Sequence, residues 1–278
     1  MASLSAVIPC LNGLAILRRN LPAILDELRG CEVVVSDDGS IDGTLQEGPQ
    51  LFPAVRFLSR EGRPRGFCHA VNDGFRASVG ESVLLLNNDV VPSPGAFAGM
   101  LEKLEGSPPE VWAVVPEVLR EGLGDEGSMR FRFRRGLAFV SQAGPGTVYP
   151  SGACALFRRT AWEELGGLDS SFAPIYWEDA DIGARAAARG WRVARAEGSR
   201  VLHEHAATTG HSLEAERLRE RNRFIFMKIH YSGFHFAIRT ASWMPAHLLL
   251  AALRGRFEFH LGLFDYLRWE ARRAREGR

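Results

Sequence analysis

Short apolar runs alternate with segments of helical periodicity over most of the chain. The run Val83 to Leu86 is apolar at every position, which is typical of a strand buried on both faces. Between Leu14 and Leu28 the leucines instead recur at the spacing of one helix face. The predicted strands are 4–8, 33–35, 55–58, 83–86, 112–115 and 154–157, and the predicted helices are 14–28, 44–51, 70–78 and 97–104. This order predicts an α/β fold with a parallel, helix-covered sheet.

The regular alternation weakens between residues 120 and 150. This segment is rich in glycine and arginine, and Arg130 to Arg135 alternates arginine with phenylalanine. It is predicted either as a long loop that forms a lid or acceptor surface, or as an edge strand with outward charges. Farther on, Thr160 is expected to cap a helix that Gly166 and Gly167 end.

Carboxylates follow two of the predicted strands. Asp37 and Asp38 come directly after the strand at 33–35, and Asp89 follows the strand at 83–86. In open α/β sheets the ligand crevice lies at the carboxyl ends of the strands. Both positions therefore indicate a binding site.

A third acidic site is the cluster Glu178, Asp179 and Asp181, which follows an aromatic segment. Neighbouring carboxylates repel each other and raise one another's pKa, so such clusters are typical of sites that bind a cation or accept a proton. The alternative is structural, because acidic residues also stabilise the first turn of a helix.

Composition limits the function classes. The 278 residues carry a formal net charge of +1, which gives no electrostatic footprint for nucleic acid. The four cysteines, at 10, 31, 68 and 154, have no pairing typical of zinc or redox sites. The N-terminus lacks signal-peptide features, and no run reaches the roughly 18 apolar residues of a membrane span. We therefore expect a cytoplasmic protein with one main domain and an appendage.

Four motifs, taken in order, resemble the family-2 glycosyltransferases with the GT-A fold. They are Val7–Asn12, Val34–Thr44, Leu85–Asp89 and Trp177–Asp181. The resemblance covers residues 4–225, and its specificity comes from the order and placement of the motifs. It implies an α/β GT-A domain, Rossmann-like, with a mostly parallel sheet covered by helices, over residues 1–225. Residues 226–278 would then form a helical, basic, amphipathic extension.

The resemblance implies an inverting enzyme, similar to rhamnosyltransferases and cell-wall glycan transferases. It would move a sugar from a UDP-, dTDP- or GDP-linked donor to an acceptor hydroxyl. The acceptor would be a glycan or a lipid-linked molecule in surface glycan or glycolipid assembly.

The resemblance also assigns the donor site. Asp38 would accept hydrogen bonds from the base, although Asp-Gly and Asn-Gly pairs also form turns without any ligand. The expected nucleotide-binding residues are Pro9, Asn12, Asp37, Asp38, Gly66, Asn72 and Asn88.

A Mg²⁺ or Mn²⁺ ion is implied beside the donor phosphates, held by Asp89. Because residues 87 and 88 are asparagines, this site has fewer carboxylates than the usual two-aspartate motif. His203 is expected on the metal or diphosphate side, and His205 and His211 are weaker candidates. Arg221 is expected near the diphosphate, although a basic helix face would also explain it.

Asp179 is the predicted general base, with Glu178 and Asp181 as rivals. The base must take the proton from the attacking hydroxyl, so a raised pKa suits it. Trp177 is expected to stack on a sugar, and Ser151 and Gly152 are expected to lie beside the acceptor.

The tail after residue 226 is predicted to be helical. Leu261, Phe264, Leu267 and Ala271 lie on one helix face, and seven arginines stand against four acidic residues from Arg254 onward. Such a helix can lie on an anionic membrane, which would place the protein at the inner face of the cell membrane. Alternatively, it packs on the core or on a second subunit, as in a homodimer.

Two other functions remain open at this point. A nucleotidyltransferase shares strand-end acidic sites, but it should carry a Gly-rich basic loop near the first strand, where only Asn12-Gly13 stands. A non-catalytic sugar-nucleotide-binding module would keep the fold without the acidic cluster.

Overall fold

The computed structural model describes residues 3–60, 62–120, 124–204, 212–231 and 233–276. The described residues form two compact units. The first contains those of 3–130, 141–174 and 178–204, and the second contains those of 131–140, 175–177 and 212–276. The second unit includes the whole helix that crosses residue 225, and the predicted domain boundary there stays a prediction.

The strands are β1 (Leu4–Cys10), β2 (Glu32–Asp37), β3 (Arg56–Leu58), β4 (Ser82–Leu86), β5 (Val90–Pro92), β6 (Val111–Arg120), β7 (Gly124–Asp125), β8 (Ser128–Arg134), β9 (Leu137–Ser141), β10 (Thr147–Pro150), β11 (Cys154–Arg158) and β12 (Arg192–His203). The helices are α1 (Leu14–Glu27), α2 (Thr44–Leu51), α3 (Phe67–Ala77), α4 (Ala96–Glu105), α5 (Arg159–Leu165), α6 (Glu178–Ala187), α7 (Leu213–His230), α8 (Phe234–Leu253) and α9 (Phe257–Arg275).

The main sheet has nine strands in the order β3-β2-β1-β4-β11-β6-β12-β5, with β7 paired to β6. Strands β3, β2, β1 and β4 run parallel to one another, and β12 runs parallel to β6. Strand β11 is antiparallel to both β4 and β6, and β5 is antiparallel to β12. The α/β class with helices is confirmed, but the sheet is mixed rather than mostly parallel.

The sheet core is apolar on both faces, as the unbroken apolar runs indicated. Every residue of β4 is buried, and Leu17, Leu21 and Ile24 of α1 pack into the same hydrophobic cluster as Leu84 and Leu86. Burial of such side chains contributes about 1.5–3 kcal/mol each. Strand β4, which precedes Asp89, is thus held by the core of this unit.

The segment between residues 120 and 150 is not a long loop. Its described part contains β7, β8, β9 and β10, and the last three form a sheet in the order β10-β8-β9. Strand β8 holds the Arg/Phe alternation and lies in the middle of that sheet, so the edge-strand alternative is also incorrect in detail. Phe131 is buried while its arginine neighbours are partly exposed, which explains the alternation by packing on one face.

Helix α5 begins one residue before the predicted cap. Arg158 is the N-cap residue and no side chain caps this helix, so Thr160 lies inside its first turn. Gly166 and Gly167 both adopt left-handed backbone conformations, with φ of 76° and 71°. The predicted glycine stop is therefore confirmed.

In the second unit, α7 and α9 pack closely. Gly262 of α9 allows this, because a Cβ there would lie 2.4 Å from Glu220 Cβ and 2.9 Å from the Arg217 carbonyl oxygen. Phe224 of α7 contacts Phe259 and Tyr266 of α9. The helical extension predicted for the tail is confirmed, and part of its apolar surface is buried against α7.

Helix α8 bears on the sequence expectation that no run reaches the roughly 18 apolar residues of a membrane span. It has 20 residues, and an 18-residue stretch of it has a mean hydropathy of 1.2 and is only 6% buried. Among the described residues it is the one helix with the length and composition of a span. The expectation concerned an unbroken apolar run, which α8 does not have, because His235, Arg239, Ser242 and His247 interrupt it. Only the length and average composition of α8 make it a candidate.

Candidate active site

The carboxyl ends of β1, β2 and β4 meet at one edge of the main sheet. Cys10 at the end of β1 pairs with Asp37 at the end of β2, and Val7 pairs with Leu85 of β4. Asp38 follows the end of β2 directly, and Asp89 stands three residues after the end of β4. The two predicted donor-site carboxylates therefore leave the sheet at the same edge.

Strand β11 brings the residues predicted for the acceptor side to that edge. It runs antiparallel to β4, with Cys154 opposite Leu86, so the residues just before it lie where β4 ends. The Asn87 amide donates to the Ala153 carbonyl oxygen at 2.9 Å. The Gly152 amide donates a hydrogen bond to the Asp179 carboxylate. Asp179, although remote in sequence, is thus tied to the same edge.

The loop after β2 is organised by Asp37 and Asn12. The Asp37 carboxylate accepts hydrogen bonds from the Gly39 and Ser40 amides, both at 2.9 Å. The Asn12 side chain accepts from the Ile41 amide at 2.9 Å. Both side chains thus close turns, as the turn alternative proposed, and Pro9 is buried at the end of β1 beside them. Their nucleotide-binding role stays a prediction.

Asp38 contacts the backbone before α3. Its two carboxylate oxygens accept from the Arg65 amide at 3.1 Å and the Gly66 amide at 2.6 Å, and the Arg60 guanidinium lies 3.6 Å away. Gly66 has φ of 106°, and a Cβ there would lie 2.4 Å from Pro174 Cα. Asp38 therefore fixes the turn at Gly66, and any contact with the base would use its remaining lone pairs.

Two predicted nucleotide residues make structural contacts. Asn72 of α3 donates to the Leu168 carbonyl oxygen at 2.8 Å and accepts from the Leu168 amide at 2.9 Å. The Asn88 carbonyl oxygen accepts from the Asn20 side chain at 3.1 Å. Asn72 thus joins α3 to residues 166–169, and both the amide nitrogen and the amide oxygen of its side chain are used in this contact.

Asp89, His203 and Glu126 form a buried charged group. His203 Nε2 lies 3.2 Å from Asp89 Oδ1, and its Nδ1 lies 3.5 Å from Glu126 Oε2. Burial lowers the pKa of His203, but Asp89 and Glu126 outweigh it and raise that pKa to about 9. His203 sits between a strand-end carboxylate and a second carboxylate that orients its ring.

Sequence reasoning missed Glu126. The residue follows β7 and its amide donates to the Val118 carbonyl oxygen of β6, so it reaches His203 only because the β6–β7 hairpin turns back. The sequence Gly124-Asp125-Glu126 carries no motif that indicates a site. The pairing of β7 with β6 becomes visible only in the tertiary structure.

The Asp89 carboxylate fits a divalent cation held with help from the substrate, whereas His203 would ligate it only after losing the proton that its raised pKa retains. A carboxylate oxygen and an imidazole nitrogen are both suitable ligands for Mn²⁺, while Mg²⁺ prefers oxygen. Asp89 and His203 are only 7% and 8% exposed. Among the described residues no group of three or more His, Cys, Asp or Glu side chains could hold a metal, so the remaining ligands would come from donor phosphates.

The three acidic residues of α6 have separate environments. All three lie in its first turn, as the structural alternative expected. Asp181 is 1% exposed and accepts from the Arg185 side chain at 2.9 Å and 2.7 Å, so it serves an ion pair within α6. Glu178 is buried, whereas Asp179 is partly exposed. Asp181 is therefore a poor rival for the base.

Burial raises the pKa of Asp179 to about 6, against hydrogen bonds from the Ala180 and Gly152 amides that lower it. A cavity of about 10 Å³ touches Asp179, Glu178 and Ser151 and is otherwise lined mainly by apolar residues. Ser151 is itself buried, and its hydroxyl accepts from the Ala153 amide at 3.1 Å. This apolar setting explains the raised pKa.

Trp177 belongs to the second unit and is 5% exposed, with its ring 4.9 Å from that of Phe226. The expectation that it stacks on a sugar is not supported, because its ring is packed in the core. Tyr176 and Trp177 have φ of 82° and 74°, a strained conformation for residues with side chains. These two residues stand immediately before the acidic cluster that begins at Glu178.

Asn222 of α7 fixes this strained segment. Its side-chain amide donates to the Ile175 and Tyr176 carbonyl oxygens at 2.8 Å and 2.9 Å, and it is fully buried. Its neighbour Arg221, predicted near the diphosphate, donates from Nε to Asn222 Oδ1 at 2.8 Å, and burial lowers its pKa. The diphosphate role of Arg221 stays a prediction. His205 and His211 lie outside the described residues.

Comparisons with known proteins identify the fold and the family. The N-acetylglucosaminyl-diphospho-decaprenol L-rhamnosyltransferase of Mycobacterium tuberculosis is 26% identical over 262 residues, covering 80% of this chain and 84% of the relative. The structure of GalNAc-T7 with UDP, GalNAc and Mn²⁺ is similar with a TM-score of 0.64 at 18% identity, over 82% of this chain and 48% of that longer one.

A second similar structure is the mannosyltransferase PcManGT from Pyrobaculum calidifontis in complex with GDP-Man and Mn²⁺. It has a TM-score of 0.57 at 17% identity, over 98% of this chain and 86% of that one. Both likenesses show the GT-A fold. The family model described as "Glycosyltransferase like family 2" matches residues 2–225, and the chain is therefore a glycosyltransferase that belongs to family 2.

Proposed function

We propose that this glycosyltransferase is metal dependent and inverting, and that it transfers a sugar from a nucleotide diphosphate to an acceptor hydroxyl. The observation that carries the proposal is the shared edge of the sheet. Asp179 is hydrogen bonded to Gly152 there, next to the strand end that delivers Asp89 to His203. One rigid support thus carries both the residue that we propose as proton acceptor and the residues that we propose for the cation, which supports the proposal.

In the proposed reaction, Asp179 accepts the proton of the acceptor hydroxyl as its oxygen attacks the anomeric carbon. The bond from that carbon to the diphosphate breaks on the opposite side, which inverts the configuration. A divalent cation held by Asp89 and His203 would neutralise the charge that develops on the leaving diphosphate. Asp38, Asp37 and Asn12 keep the loops at the nucleoside end of the site in place.

The donor is proposed to be a UDP-, dTDP- or GDP-linked sugar. The relative from Mycobacterium tuberculosis is named as an L-rhamnosyltransferase, so a nucleotide-linked L-rhamnose is the first donor to test. That relative is also named for an acceptor linked to decaprenol through a diphosphate. We accordingly propose a lipid-linked acceptor, a role in surface glycan or glycolipid assembly, and a location at the inner face of the cell membrane.

The test is a thermal-shift screen of UDP, dTDP and GDP and their sugars with Mn²⁺ or Mg²⁺, followed by a transfer assay with the donor that binds. A ligand that binds only the native state raises the melting temperature. Transfer with inversion supports the proposal. Nucleotide-sugar binding without transfer to any lipid-linked acceptor would instead favour a non-catalytic binding module.

A further inference from the structure

Helix α8 has two faces with opposite surroundings. Residues three and four apart lie on the same face of a helix, and Thr240, His247 and Ala251 fall on one face. All three are partly or fully buried. On the opposite face, Phe234, Ile238, Leu249 and Leu253 are 82%, 50%, 61% and 74% exposed. We call these four residues the outer stripe.

The inner face of α8 is fixed to the turn between β8 and β9, within the second unit. Thr240 Oγ1 donates to the Gly136 carbonyl oxygen at 3.0 Å, and His247 Nε2 donates to the Arg135 carbonyl oxygen at 2.7 Å. A Cβ at Gly136 would lie 2.7 Å from the Arg239 carbonyl oxygen. Helix α8 therefore lies along its own unit, although its composition is also that of a span.

The exposed apolar surface continues into α9. Leu253 ends α8 and Phe257 begins α9, and Phe257 is 61% exposed. On α9, Phe264 and Leu267 are also exposed, and the Arg268 guanidinium lies 5.5 Å from the Phe264 ring centre. Arginines beside exposed aromatic rings are typical of helices that lie in a membrane interface, with the charged groups at the headgroups.

The distribution of charge around α8 indicates which kind of surface the outer stripe would contact. Between Glu220 and Glu258 the sequence contains no acidic residue, while Arg239 lies on α8 and Arg254 directly follows it. Apolar contact with a soluble partner or with a second copy would not require an excess of basic over acidic residues. Anionic lipid headgroups attract such a segment while the acyl region takes up the apolar side chains.

We propose that the outer stripe and Phe257 form a docking surface for an anionic lipid bilayer, on which α8 lies parallel to the membrane plane. This proposal states how the protein would bind the inner face of the membrane, and it rests on the proposed function. The docking itself needs neither donor nor acceptor, so it can be tested separately.

The experiment is co-sedimentation of the full chain with vesicles of phosphatidylglycerol and phosphatidylcholine in equal parts, and with phosphatidylcholine alone. The wild type should bind the anionic vesicles, and added salt should weaken that binding. The triple variant Ile238→Gln, Leu249→Gln, Leu253→Gln should lose binding by at least about tenfold because it removes apolar contact with the bilayer. The single variant Leu249→Gln should show a smaller loss.

The matched control is Leu51→Gln with Val79→Gln, since both side chains are exposed and apolar but belong to the first unit. It should bind vesicles like the wild type. Thermal shift with nucleotide diphosphate and Mn²⁺ should be equal in all variants, which separates loss of docking from loss of the proposed donor site. Vesicle binding by the triple variant equal to wild type, or no binding by wild type, overturns the proposal. So does a wild-type dimer in sedimentation velocity that the triple variant abolishes.

Discussion

At the scale of single residues, the carboxylates of the first turn of α6 differ in what each one contacts. Asp181 is bound to Arg185 and Glu178 is buried, whereas Asp179 is partly exposed and held by backbone amides. The same acidic cluster thus serves helix stability and, as we propose, proton transfer. The two explanations drawn from the sequence are compatible because they apply to different members of the cluster.

Replacing Asp179 by Asn should lower turnover by about 10²- to 10⁴-fold, the usual contribution of a general base. Nucleotide diphosphate affinity should stay unchanged, because the base contacts the acceptor side. In the wild type, turnover should rise as the pH is raised through about 6, where the raised pKa of Asp179 places its loss of a proton. Stopped assays across pH and calorimetry measure both effects.

A suitable control is Asp26→Asn, since Asp26 of α1 is an exposed carboxylate that pairs with Arg29. It should leave turnover and the pH profile intact. Full turnover of the Asp179→Asn variant would show that another group takes the proton.

Replacing Glu126 by Gln should weaken Mn²⁺ binding in the presence of nucleotide diphosphate by about 10- to 100-fold, as for other residues that orient a metal ligand. The cause is loss of the carboxylate that lies 3.5 Å from His203 Nδ1. Electron paramagnetic resonance of free Mn²⁺ measures the affinity without reference to catalysis. Glu117→Gln is the control, because Glu117 pairs with Arg200 on the outside of the sheet. A Glu126→Gln variant that binds Mn²⁺ as tightly as the wild type would show that Glu126 does not support the metal site.

At the scale of elements, α7 holds the segment that leads into α6. Asn222 bonds two carbonyl oxygens of that segment, and the Arg219 guanidinium lies 4.4 Å from the Tyr176 ring centre. These contacts stabilise the positive φ angles of Tyr176 and Trp177. Such strain next to a candidate base is consistent with a positioned active site.

Replacing Asn222 by Ala should destabilise the protein by about 1–3 kcal/mol, since two carbonyl groups lose their donor. Turnover should fall further than stability alone explains, because the strained backbone before Glu178 can then relax. Urea unfolding and turnover at a temperature where the variant is folded separate the two effects. Gln50→Ala removes an exposed side-chain amide on α2 and should change neither. Wild-type turnover in a destabilised Asn222 variant would limit Asn222 to a structural role.

At the scale of the whole molecule, metal and donor binding should depend on each other. The described residues supply Asp89 and His203 but no cluster of three metal-binding side chains. Under the proposed metal dependence, the metal would take oxygen ligands from the diphosphate, and the diphosphate would in turn need the charge of the metal.

Mn²⁺ alone and nucleotide diphosphate alone should each raise the melting temperature little, whereas the two together should raise it clearly. At a ligand concentration 100 times Kd, binding adds about 2.7 kcal/mol to the free energy of unfolding. Chelation with EDTA should abolish transfer, and Mn²⁺ or Mg²⁺ should restore it. Equal shifts from the nucleotide with and without metal would contradict the proposed metal dependence.

The sequence by itself determined the α/β class, because unbroken apolar runs and helical periodicity follow directly from what each segment must bury. It also determined that carboxylates stand at strand ends, since position after a strand is a local property. The tertiary structure alone decided that the sheet is mixed, that β8 is a strand in the middle of a second sheet, and that Trp177 packs in a core. It likewise decided that Glu126 reaches His203, and which face of α8 stays exposed. These outcomes depend on pairing and packing between residues far apart in the chain, and the free energy of such contacts is not contained in any single segment.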